Sequence, residues 1–250
     1  MKPLHVWISI FAVLLFGFLF FQEPKIKDAA EAIRLGNYYF NNGAYDLEKA
    51  EEAFRRALKA DPKILWGHYQ LARIYFVKGE KDKALEEINK ELEANPENLR
   101  SLYVRGLIYG SSGKLAEAEI DFKRFVVWFP SEWAGYNDLA WILAKEGKYK
   151  EAKEILLDAL KKAARAEKNP WLWNSLGVAE LNLGEYANAR KSFTKAKESV
   201  NMLLLKDWQS AYPGNNPVES ERGLADFKRA IEANLEKSIS TQADSVDREM

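Results

Sequence analysis

Apolar residues recur along this chain at helical spacing, three and four apart, and the pattern itself repeats with a fixed period. Pro62, Pro96 and Pro130 stand 34 residues apart, each closing a charged run. Ala50, Ala84, Ala118 and Ala152 keep that interval, as do the bulky residues Phe54, Ile88, Phe122 and Leu156. Within each period a glycine or polar break divides the unit into two helices. A period of this length predicts an all-α solenoid of stacked helix-turn-helix units, each of which buries its apolar face only against its neighbours.

Five units are predicted: residues 29–64, 65–98, 99–132, 133–169 and 170–203, with the second helix of the fourth unit running on through Lys161–Lys168. Gly36, Ala72, Gly106, Ala140 and Gly177 are the small residues that let the first helix of each unit approach its partner. Phe54, Phe122 and their counterparts fill the gap toward the next unit. After Val200 the pattern decays. Residues 204–237 read as a degenerate sixth unit or capping helices, with Leu224, Phe227, Ile231 and Leu235 on one stripe. Residues 238–250 are polar and read as a flexible tail.

These motifs resemble the tetratricopeptide repeat (TPR) family, whose pattern is an aromatic, then Leu-Gly or Leu-Ala, then Ala-x-x-x-Phe-x-x-Ala and a closing proline. Trp173-Asn174-Ser175-Leu176-Gly177 and Ala50-Glu51-Glu52-Ala53-Phe54-Arg55-Arg56-Ala57 match it most clearly. The resemblance implies a right-handed superhelical solenoid with a concave groove that receives extended peptides or helices. Arg105 departs from the family's leucine and Glu180 from its tyrosine, which makes the packing of units three and five a question for the structure.

The groove implied by the resemblance is lined by one stripe on the first helix of each unit. Trp66, Tyr69, Arg73 and Phe76 form it in the second unit, at i, i+3, i+7 and i+10. The counterparts are Ile33, Asn37 and Phe40; Arg100, Tyr103 and Leu107; Asn137 and Trp141; Trp171, Asn174 and Val178. Aromatics beside arginine are the residues from which protein interfaces draw most of their energy. Asn137 and Asn174 are candidates to hydrogen-bond a peptide backbone. Family members that hold the carboxylate tail of heat-shock chaperones use a lysine where Ile33 stands here, so that role is not expected. The expected partner is a protein or peptide, and self-association through Trp128-Phe129 or the C-terminal helix is the alternative.

Composition removes other classes. The 37 basic and 37 acidic residues balance, so nothing in the net charge points to nucleic acid. No cysteine is present and the two histidines are His5 and His68. A thiol nucleophile, a histidine metal cluster or a phosphate-binding glycine loop therefore has no residues to draw on, and neither an enzyme nor a cofactor is expected. His68 stands where the family places a packing aromatic. Leu4 to Phe21 is almost unbroken apolar sequence; as a helix it would reach about 27 Å, near the thickness of a hydrocarbon core. Its Phe18-Leu19-Phe20-Phe21 end lacks the small residues of a cleavage site. Residues 1–24 are thus expected to be an uncleaved transmembrane anchor, with the repeats outside the cytoplasm.

Overall fold

The computed structural model describes residues 28–40, 45–211 and 216–249. The expected anchor at residues 1–24 lies outside them. Among the described residues no helix is long and apolar enough to cross a membrane. All regular structure in these segments is helical: α1 (residues 28–40), α2 (Leu47–Ala60), α3 (Gly67–Val77), α4 (Lys81–Ala94), α5 (Leu99–Ser111), α6 (Leu115–Trp128), α7 (Trp133–Lys145), α8 (Tyr149–Lys162), α9 (Pro170–Asn182), α10 (Tyr186–Asn201), α11 (Leu205–Ala211) and α12 (Ser220–Glu249). Two compact units divide the chain, Met1–Pro96 and Glu97–Met250. The first holds α1 to α4 and the second α5 to α12.

Each repeat is a helical hairpin closed by the same turn. Gly79, Gly113, Gly147 and Gly184 take positive φ, between 75° and 78°, where a side chain would be strained. Tyr45 holds the equivalent place before α2 at φ 43°. The small residues on the first helices are matched to their partners across the hairpin. Gly36, Gly106 and Gly177 lie flat against Phe54, Phe122 and Phe193; an added Cβ would fall 2.4, 2.8 and 2.6 Å from the respective rings. Ala72 and Ala140 occupy the same register opposite the thinner Ile88 and Leu156, and all of these residues are buried. Glycine goes with phenylalanine, and alanine with an aliphatic partner.

The two departures from the family pattern are each compensated. Arg105 of α5 makes a bidentate pair with Asp121 of α6 (Nε–Oδ2 2.7 Å, Nη2–Oδ1 2.8 Å), and Asp121 is 1% exposed. Repeat four carries Leu139 and Ile155 at the same two positions. Glu180 of α9 is buried and accepts a 2.6 Å hydrogen bond from the Ser192 hydroxyl of α10. Burial holds its carboxyl above the usual range, and the Ser192 bond only partly offsets this.

Three boundaries differ from the expectation. The second helix of repeat four stops at Lys162, because Ala163 is extended and Arg165 turns left-handed (φ 54°); a 3-10 turn, Ala166–Lys168, follows. The polar segment expected to be a flexible tail is instead part of α12, which continues to Glu249. The first helix of repeat two begins two residues late. In repeats three and five, Asn98 and Asn169 cap the first helix, accepting from the backbone N–H groups of Ser101 (3.2 Å) and Leu172 (3.0 Å). Repeat two has Ile64 in that register, which cannot cap, and α3 starts only at Gly67.

Candidate functional site

The late start of α3 changes the predicted groove at its most aromatic point. Trp66 is not on the helical stripe. It precedes α3 in left-handed backbone, φ 72°, a conformation costly for a bulky residue. Gly67, which follows it, packs closely on α2, where an added Cβ would meet Leu58 at 2.7 Å. Trp66 is left 39% exposed, edge-on to Tyr69 with ring centroids 5.2 Å apart.

Beneath it the guanidinium of Arg73 lies over two rings, 4.6 Å from the centre of Phe40 and 5.6 Å from that of Tyr69. Arg73 also donates to Gln70 Oε1 (2.8 Å), and Gln70 donates to Asn37 Oδ1 (2.6 Å). Five of the predicted residues in unit Met1–Pro96 thus form one layered cluster, with Trp66 its exposed top and Phe40 and Tyr69 buried at its base. Phe76 is half-buried on the same helix.

In the second unit the predicted residues divide differently. Arg100 is exposed, and Trp141 is 45% exposed with the Lys145 ammonium 5.4 Å from its ring centre. Tyr103 and Asn137, expected on the open stripe, are buried. The Tyr103 hydroxyl donates to Asp138 Oδ2 (2.7 Å), and its ring packs on Phe122 and Phe125. Asn137 Oδ1 accepts from the Ser175 hydroxyl (2.7 Å), and Asn174 Oδ1 accepts from Asn234 Nδ2 (3.0 Å). These amide oxygens bridge successive first helices. Trp171 is stacked between Trp133 (4.9 Å) and the Trp208–Phe227 pair (5.8 and 5.5 Å), so α11 and α12 cover it.

Within each unit, polar bridges that the sequence reading missed link successive first helices, while repeat three carries Val104 in that register. Gln70, Asp138, Ser175 and Asn234 each bond to a groove-stripe residue of the preceding first helix. The first three share one register, two residues before the small residue Ala72, Ala140 or Gly177. Setting Asn234 in that register makes residues 229–241 of α12 the first helix of a sixth repeat. Ile231 and Ser238, both fully buried, then fall at the positions of Leu172 and Ala179. Exposed Glu232 and Glu236 fall where a second helix would pack, so this end of the repeats is polar. Polar residues at a fixed register were the available signal.

His68 Nδ1 lies 2.6 Å from Glu87 Oε2, tying α3 to α4 within its hairpin. Among the described residues there is no group of His, Cys, Asp or Glu that could hold a metal ion.

Three tetratricopeptide-repeat models match, over residues 42–107, 99–130 and 137–201. A TPR repeat-containing protein of Methanocaldococcus jannaschii, MJ1428, is 27% identical over 239 residues, covering 89% of this chain and 35% of its own length. The chain thus spans about a third of that relative. PilF of Pseudomonas aeruginosa has the same fold, with a TM-score of 0.61 at 20% identity over 88% of this chain and 99% of its own. So does YrrB, a TPR protein with an unusual peptide-binding site, with a TM-score of 0.56 at 21% identity over 69% of this chain and 87% of its own. Five helical hairpins in register and three overlapping or adjoining family matches agree: this is a tetratricopeptide-repeat protein.

Proposed function

We propose that the chain is a non-catalytic adaptor that docks a protein or peptide partner on the first-helix face of unit Met1–Pro96, with Trp66 as the anchor of the contact. The observation that carries this reading is the strained, exposed indole of Trp66 standing on the Tyr69–Arg73–Phe40 layer. A large side chain held in left-handed backbone is retained at a cost that packing alone does not require, and such positions cluster at binding sites. Aromatic and arginine groups supported from beneath are typical interface anchors. The peptide-binding site of YrrB, a fold neighbour, is in keeping with this use of the repeats.

In this reading the apolar run from Leu4 to Phe21 tethers the repeats to a membrane, on the side away from the cytoplasm, where the partner belongs to an envelope complex. A photo-crosslinking amino acid at the exposed Leu65, which leaves Trp66 in place beside it, tests the docking face. A discrete adduct that is absent with the same group at Lys59 on α2 is the expected result, and no adduct at 65 refutes it. Protease added to spheroplasts tests the placement. Digestion of the repeats before lysis is expected, and protection until lysis contradicts it.

A further inference from the structure

At two positions where the outer helix of the third repeat is apolar, those of the other four are charged. On α6, Ile120, Val127 and Trp128 are 60%, 74% and 68% exposed, and with Arg124 they fall at i, i+4, i+7 and i+8 on one helix face. The residues in register with Ile120 are Glu52, Glu86, Glu154 and Lys191. Those in register with Val127 are Lys59, Glu93, Lys161 and Glu198. Solubility accounts for the four charged faces and not for this one.

One arginine lies within the stripe and a second near its end, where the exposed Glu132 also stands. Arg124 is exposed in the middle of the stripe. The backbone N–H of Ala164 donates to Ser131 O (3.1 Å), which brings the turn carrying Arg165 against the end of α6, beside the partly exposed Phe129. The acidic groups in the middle of the helix are paired, Glu119 with Lys123 and Lys148 and the buried Asp121 with Arg105. Exposed Glu117 sits in the first turn, at the end away from Trp128.

We propose that this face of α6 is a lipid-contact surface that settles into the headgroup region of an anionic bilayer, Trp128 and Val127 entering the interface and Arg124 meeting phosphate. Tryptophan concentrates at membrane interfaces, and helices with an aromatic-aliphatic stripe bordered by arginine lie in that plane. A second copy of the chain fits less well. Side chains of these sizes leave on the order of 400 Å² of apolar surface, about half of the ~800 Å² per partner of a stable pair. The proposal rests on the membrane tether of the proposed function, because a patch this small holds a bilayer only when kept near it.

The absence of cysteine makes the test clean. The full chain carrying Val127→Cys is labelled with an environment-sensitive dye and reconstituted into vesicles of phosphatidylcholine with one-quarter phosphatidylglycerol. Nitroxide-bearing lipids are the quenchers. Glu198→Cys, in register on α10, is the control. At least twofold quenching at 127 and none at 198 is expected, weaker in pure phosphatidylcholine and lost when Ile120→Ser and Trp128→Ser are combined. Equal signals at 127 and 198 overturn the proposal. So does a signal at 127 that follows protein concentration in detergent without lipid, which would mean a second copy. Alkaline carbonate extraction separates this surface from the tether. A chain that resists extraction but shows no quenching at 127 keeps the tether and loses the surface; one that is extracted loses the tether, and with it the footing on which the surface rests.

Discussion

Gly177→Ala adds a methyl group whose carbon would lie 2.6 Å from both Cδ1 and Cε1 of Phe193. The ring is fully buried and cannot retreat without moving α10. Overpacking of this kind costs about 1–3 kcal/mol, against about 1 kcal/mol gained from replacing a mid-helix glycine by alanine. A net loss of about 1 kcal/mol is expected. Phe193→Leu alone leaves part of the ring's space empty and costs about 1–2 kcal/mol. The double variant rebuilds the pairing of repeat four, where Ala140 faces Leu156, both buried. Its methyl then fills space the smaller leucine vacates. The double variant is therefore expected to be more stable than the sum of the single changes predicts, by about 1 kcal/mol or more. Urea unfolding followed by helical circular dichroism gives the four free energies. Additivity within about 0.3 kcal/mol would refute the claim that glycine is present to admit phenylalanine.

The compensated departures make two further predictions. Arg105→Leu strands the buried Asp121 and is expected to cost about 3 kcal/mol; adding Asp121→Ile, which copies Leu139 and Ile155 of repeat four, is expected to recover most of that loss in the same unfolding assay. Glu180→Gln keeps an acceptor for the Ser192 hydroxyl while removing a carboxyl whose folded pKa is raised by burial. Such a group favours the folded state below its unfolded pKa, and that contribution is lost as pH rises through the folded value. The variant is thus expected to be more stable than the parent at pH 7, with the difference shrinking toward pH 4; a difference that grows as pH falls would contradict the assignment.

The repeats were legible because the spacing of Ala50, Ala84, Ala118 and Ala152 reports a packing constraint that only one architecture imposes. The hairpin partners, Gly36 with Phe54 or Ala140 with Leu156, follow from the same register. The groove was less legible. Stripe position alone cannot separate Tyr69, buried under Trp66, from Trp141, left open, because that depends on the residues reaching across from the neighbouring first helix. Tyr103 and Asn137 closed up for this reason, Asp138 and Ser175 having engaged them. Trp66 lies off the stripe because α3 starts two residues later in register than α5, α7 and α9, and Ile64 offers none of the capping seen at Asn98 and Asn169. Trp171 was covered by Trp208 of α11 and Phe227 of α12, which lie past the last full repeat, where the periodic pattern no longer places them.

The central claim is that Trp66 is kept for a partner and not for the fold, and Trp66→Gly tests it. Glycine accepts φ 72° without the roughly 1 kcal/mol that a side chain suffers there, which offsets much of the lost edge-on contact with Tyr69. The measurement is recovery of the adduct-forming partner by the full-length variant and its parent, alongside their urea midpoints. The account predicts unfolding free energies within about 1 kcal/mol of each other and at least a tenfold loss of partner. Undiminished partner recovery, or a loss of stability large enough to explain its disappearance, would contradict it.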